Sequence, residues 1–158
     1  MTVLRFASLA DHPEAVPLLA AWHHAEWAPI IRDWPLALAE AELAAQQRRG
    51  TIPSTLIAFE QERLVGSASL LDEDMPDFPA FTPWLASVFV VPDRRGAGIG
   101  TALVHQALAD ARGLGAARLY LYTTEAEGWY AARGWRVVER RAARGTPGVI
   151  MSYDLAPE

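Results

Sequence analysis

Residues 88–101 constrain this chain more than any other stretch. They read Val88-Phe89-Val90-Val91-Pro92-Asp93-Arg94-Arg95-Gly96-Ala97-Gly98-Ile99-Gly100-Thr101. The apolar run from Trp84 to Val91 has the pattern of a buried strand. From Gly98 to Arg112 the pattern is helical, with Ile99, Leu103, Val104, Ala107, Leu108 and Ala111 on one half of the wheel. A strand feeding straight into a helix commits the chain to a crossover on a sheet, so the next strand, Ala117 to Thr123, should pair in parallel with the first. The turn between them carries glycines at 96, 98 and 100, which remove the Cβ atoms that would hold a ligand away from the backbone. The N–H groups of a helix's first turn lack partners inside the helix, and the dipole there favours an anion. Such a turn is a cradle for phosphate or pyrophosphate, and Arg94 and Arg95 add positive charge at its lip. The dinucleotide pattern G-x-G-x-x-G fails here, because Thr101 stands at the third glycine, and no Gly-Lys-Ser/Thr sequence is present for a nucleotide triphosphate loop.

The remaining elements follow from periodicity and punctuation. Thr2 to Ala7 is a strand, and Asp11 is a helix N-cap with Pro13 in the first turn and Glu14 completing a capping box. The helix behind it carries Val16, Leu19, Ala20 and Trp27, and a second runs from about Pro35 to Gly50. Ser54 to Phe59 and Leu64 to Leu71 are strands joined by a polar hairpin turn. An acidic, proline-containing loop spans 72–83. A short helix from Ala126 to Arg133 and strands at Trp135 to Arg140 and Val149 to Leu155 close the chain. The order β-α-α-β-β-β-α-β-α-β-β predicts one α/β (α+β) domain over residues 1–158, a mixed sheet with helices packed against it.

Composition narrows the function. The chain has 158 residues, 51% hydrophobic and 21% charged, the balance of a globular domain. No apolar run approaches the length of a membrane span, and the first residues lack a secretory pattern. There is no cysteine, which rules out disulfides, thiolate metal sites and a cysteine nucleophile. These features fit a cytoplasmic protein with no membrane partner. A net charge of −5 argues against nucleic acid and is compatible with a cationic small molecule or peptide, or with a surface charged only for solubility.

With these residues in view, the sequence resembles the GNAT superfamily of N-acetyltransferases. The family's phosphate motif, Arg/Gln-x-x-Gly-x-Gly/Ala, is matched by Arg95, Gly98 and Gly100, and its fuller form by Val90, Pro92, Arg95, Gly96, Gly98, Ile99 and Gly100. The element order agrees over nearly the whole chain. The resemblance implies a mostly antiparallel sheet with a central parallel pair, and acetyl-CoA as donor without a metal. The pyrophosphate would sit on backbone amides of Arg95, Gly96, Ala97, Gly98, Ile99, Gly100 and Thr101. The pantetheine arm would lie along Val88, Phe89 and Val90 like an added strand. It implies an oxyanion donor in a backbone N–H near Val90.

A second segment, Glu127-Gly128-Trp129-Tyr130-Ala131-Ala132-Arg133-Gly134-Trp135, resembles the family's Phe-Tyr-x-x-x-Gly-Phe, with Trp135 in place of the phenylalanine. By this resemblance Tyr130 protonates the departing thiolate. A phenol with a pKa of about 10 stays protonated at neutral pH, whereas a thiol titrates near about 8.5. The other reading is a tyrosine that packs beside Trp129. No base stands out. Ser87, Asp77, Glu125 and Glu127 are candidates, and an amine arriving neutral from water needs none.

Other residues invite attention. His23 and His24 are adjacent, so on a helix they point about 100° apart, which is poor metal geometry and suits surface or groove positions. His105 falls on a polar helix side and His12 in a first turn. Trp22 reads as core, and Trp27 and Trp34 as core or as walls of an acceptor pocket, with Glu26 beside Trp27 suited to a cation. The reading is an acetyl-CoA-dependent N-acetyltransferase of a primary amine on a small molecule. The alternatives are a non-catalytic acyl-CoA-binding module and an enzyme acting on protein N-termini or lysines. The oligomeric state stays open, with a homodimer as one option.

Overall fold

A computed structural model describes residues 3–142 and 146–155. The strands are β1 (Leu4–Ser8), β2 (Ser54–Glu60), β3 (Arg63–Leu71), β4 (Trp84–Val90), β5 (Arg118–Thr123), β6 (Arg136–Arg140) and β7 (Val149–Asp154). The helices are α1 (Val16–Trp27), α2 (Leu36–Ala45), α3 (Ile99–Gly113) and α4 (Glu127–Ala131). The strands form one seven-stranded sheet in the order β1-β2-β3-β4-β5-β7-β6. Every neighbouring pair is antiparallel except β4 and β5, as the crossover through α3 requires.

Side-chain alternation divides the core between two faces. One face carries Ala58, Ala68, Leu85, Leu119, Leu121 and Met151, and α3 covers it with Leu103, Val104, Ala107 and Ala111. On the other, Ile57 and Phe59 meet Leu19, Ala20, Ala39 and Leu43 of α1 and α2. Further along that second face, Trp84, Tyr120 and Ile150 are covered by Met75, Phe78 and Phe81 from the loop after β3. The acidic loop is thus pinned by aromatics, with Phe81 stacked on Tyr120 at 4.6 Å between centroids. Among the described residues no helix is long and apolar enough to cross a membrane.

Three expectations change. Asp11 forms no capping box; it pairs with Arg49, and two 3-10 turns, Leu9–Asp11 and Pro13–Ala15, precede α1. Ser8 caps the first of these turns by accepting from the Ala10 N–H at 3.1 Å. The second helix stops at Ala45 rather than at Gly50. Just past its end, the side-chain carbonyl of Gln46 accepts from the Thr55 hydroxyl at 2.8 Å, which ties the helix end to the sheet. His23 is not at the surface. It is 3% exposed, because the apolar side of α1 continues through it onto β3 and β4. Thr2, the expected start of the first strand, lies outside the described residues.

Two local features shape β4. Opposite Ala68 of β3 stand two residues, Ser87 and Val88, since the register passes from Ser69↔Ala86 to Ser67↔Phe89. This is a bulge, and Ser87 sits there at φ 53°, a left-handed conformation that costs a non-glycine residue about 1 kcal/mol or more. Beside it β3 carries Gly66. A Cβ there would stand 2.7 Å from the Phe89 carbonyl oxygen and 2.8 Å from Leu103 Cδ1. Gly66→Ala must therefore push β4 or α3 away. It should lower stability by about 1–3 kcal/mol, the usual range for overpacking, read as a fall in the urea midpoint.

Candidate active site

β4 and β5 are registered at one position, Trp84↔Tyr120. Beyond it the strands part, and the gap opens as a cleft of about 440 Å³. Its walls come from Val88, Phe89 and Val90 of β4, from Arg94, Arg95, Gly96, Gly98, Gly100 and Thr101 in the turn and at the start of α3, from Ala126, Trp129, Tyr130 and Arg133 around α4, and from Glu26 of α1.

The glycine turn takes the expected form. Gly96 and Gly98 have φ of 84° and 87°, and Gly98 caps α3. The first helical bond runs from the Ala102 N–H to the Gly98 carbonyl, so the N–H groups just ahead of it have no acceptor within the helix. A Cβ on Gly100 would touch Trp129 and Val90 at 3.6 and 3.7 Å, so the glycine keeps this end of the cleft open. The turn is held from behind. Arg94 donates two bonds to Glu60 at 2.6 and 2.8 Å, and Asp93 accepts two from Arg63. These pairs hold the Asp93 carboxyl below its ordinary pKa, chiefly through the Arg63 hydrogen bonds.

Not every predicted site residue contributes in the same way. Gly96, Gly98, Gly100 and Thr101 line the cleft, whereas the Ala97 side chain is exposed outside it. The Ile99 side chain is buried among the core residues of α3, which leaves only its backbone for a ligand. Phe89 turns its ring into the core, against Trp22 at 5.8 Å. Arg95 lies in the cleft but points along β4: Nε donates to the Val90 carbonyl at 2.8 Å, and Nη2 donates to Glu26 at 3.1 Å. Its guanidinium rests over the Phe89 ring.

Tyr130 lies at the back of the cleft, 9% exposed, with its ring edge-on to Trp129 and Trp135. Burial pushes its pKa up to about 12, opposed weakly by the Arg133 charge. The phenol is therefore protonated at any physiological pH.

Sequence reasoning missed Arg133 as part of this cleft's framework, whereas Glu26, expected beside Trp27 as suited to a cation, lines the cleft and accepts from Arg95. Arg133 lies over the Trp129 ring at 3.7 Å, donates to Thr101 Oγ1 at 3.1 Å and to the Trp129 carbonyl at 2.9 Å. It fastens α4 to the start of α3. The helical spacing of Trp129 and Arg133 was a signal for the pairing, but nothing local announced Thr101 as the third member. The candidate bases fare differently. Glu127 binds Arg140 through both oxygens at 3.0 Å, which lowers its pKa, and Asp77 faces Arg141 at 3.4 Å. Glu125 is exposed and Ser87 occupies the bulge. Trp27 packs on Phe89 and His23, and Trp34 donates to Glu42, so both are held as framework. His12 bonds Glu14, His24 bonds the Trp34 carbonyl and His105 is exposed. Among the described residues no group of three or more His, Asp or Glu is placed to hold a metal ion.

The whole architecture recurs in solved structures. An aminoglycoside 6'-N-acetyltransferase complexed with coenzyme A superposes with a TM-score of 0.77 at 16% identity, over 98% of each chain. An aminoglycoside 6'-N-acetyltransferase from Enterococcus faecium gives 0.75 at 16% identity, over 99% of this chain and 98% of the other. The protein yncA from Salmonella typhimurium, solved with its cofactor acetyl-CoA, gives 0.71 at 21% identity, over 99% and 95%. At these identities the likeness is one of fold. No curated protein sequence matches the chain. The sequence model of the acetyltransferase (GNAT) family matches residues 19–135, from α1 through β4, the glycine turn and Tyr130 to Trp135. The chain belongs to the GNAT family of acetyltransferases.

Proposed function

We propose that this acetyltransferase takes its acetyl group from acetyl-CoA and passes it to the primary amine of a small cationic molecule. The observation that carries the reading is that the glycine turn, the β4 residues Val88 to Val90 and Tyr130 line one cleft. The pyrophosphate would be held by backbone N–H groups between Arg95 and Thr101, with the dipole of α3 behind them. The two amides of the pantetheine arm match the unpaired edge at Val88 to Val90. The thioester then comes to rest near the bulge, with Tyr130 beside its sulfur.

The chemistry follows from these positions. The amine nitrogen attacks the thioester carbonyl, and a backbone N–H near Val90 stabilises the oxyanion. As the tetrahedral centre collapses, the C–S bond breaks and Tyr130 gives its proton to the sulfur. The nitrogen loses its extra proton to water. A solvent base suits this cleft, because its one lining carboxylate, Glu26, is already bonded to Arg95. A cationic acceptor is supported by the aminoglycoside acetyltransferases that share the fold, by the net charge of −5 and by the acids held at the Trp84 end of β4.

Three variants and an amine panel test this reading. Gly100→Glu should abolish acetyl-CoA binding in calorimetry while the protein still folds, because a carboxylate would meet both Trp129 and the phosphates; unchanged affinity would refute the pyrophosphate site. Tyr130→Phe should lower kcat about 10²-fold and leave the acetyl-CoA affinity nearly unchanged. Because the phenol ionises only at about 12, the wild-type rate should show no alkaline fall from Tyr130 below about pH 11. Converting Asp72, Glu73, Asp74 and Asp77 to their amides should raise the acceptor KM and flatten its salt dependence, with the acetyl-CoA KM unmoved. A neutral or anionic best acceptor in an amine panel would sink the charge argument.

A further inference from the structure

A buried polar chain runs from α1 to the bulge of β4. His23 is 3% exposed and Ser67 is fully buried. The His23 Nε2 lies 2.9 Å from Ser67 Oγ, and Ser67 Oγ donates to the Ser87 carbonyl at 3.3 Å. A serine hydroxyl has one proton. With that proton on the Ser87 carbonyl, Ser67 can only accept from His23, so the ring carries its hydrogen on Nε2. Burial lowers the His23 pKa to about 4, so the ring is neutral at physiological pH. The ring cannot drift, since Trp27 and Phe89 pack on it at 4.9 and 5.7 Å between centroids.

The end of this chain is the strained residue. Ser87 is held at φ 53° in the bulge where β4 turns its edge toward the cleft. A left-handed serine in a strand persists only where its surroundings fix it. We infer that His23 and Ser67 act as one clamp that fixes the Ser87 carbonyl and so sets the direction of the β4 edge at Val88 to Val90. They are positioning residues, since neither lines the cleft. This inference rests on the assignment of that edge to the acyl-bearing arm of the donor.

The test separates the two halves of the donor. Calorimetry on the full chain would compare acetyl-CoA with 3'-phospho-ADP, which carries the pyrophosphate but no arm. Ser67→Ala and His23→Leu should each weaken acetyl-CoA binding about 10-fold, the usual effect of one lost buried hydrogen bond. Binding of 3'-phospho-ADP should change less than about 2-fold, because the glycine turn is held separately by Arg94 and Glu60. The double variant should be no worse than either single one. His23→Gln, whose amide N–H reaches the place of the imidazole Nε2, should recover most of the loss. A merely structural role predicts equal weakening of both ligands, additive losses and no rescue by glutamine, and any of these results would overturn the clamp. Wild-type protein that bound neither ligand would instead overturn the donor assignment itself.

Discussion

Two parallel strands that meet at Trp84 and Tyr120 and then separate are the constraint on which the site depends. In an unbroken sheet the N–H and C=O groups of β4 would be consumed by β5, and no ligand could pair with them. Separation leaves them exposed in the interior of the molecule, which is costly unless something takes their place. Two devices make it tolerable here. One is the aromatic layer of Phe81, Tyr120 and Trp84, which fixes the strands where they do touch. The other is the bulge at Ser87, which redirects the rest of β4. The cleft is therefore as much a product of packing below it as of the residues that line it.

The glycine turn exploits the same geometry from another direction. Because only the turn of residues 91–98 separates β4 from α3, the first residues of α3 line the same cleft as Val88 to Val90. A long ligand with a charged end and an amide-bearing arm can then satisfy both at once. Arg133, α4 and Tyr130 close the third side, and the Arg133 to Thr101 bond couples the position of the tyrosine to the start of α3. On the proposed reading, donor recognition and proton delivery therefore fall to one corner of the fold.

Much of this was legible in the sequence. The element order, the β4 to α3 turn and the Tyr130 segment each have a local signature: a buried apolar run, glycines requiring positive φ, a helix stop at Gly134. What escaped was set by contacts between segments far apart in the chain. The adjacent pair His23 and His24 looks superficial by itself. Only His23 is buried, against β3 and β4, and its polar partner there is Ser67, which a single serine in an apolar strand does not reveal. Asp11 followed by Pro13 and Glu14 had the form of a capping box, yet Arg49 took the aspartate. The split of β4 from β5 left no mark in either strand, because both remain apolar and β-forming although they pair with each other only at Trp84 and Tyr120.

Arg95 lays its own side chain along the cleft. Its guanidinium lies on the Val90 carbonyl and on Glu26, over Phe89, along the track that the arm of a donor would follow. On the proposed reading, a donor amide that bonded the Val90 carbonyl would compete with Arg95 for it. The affinity for the donor would then be a difference between two sets of bonds rather than the sum of one.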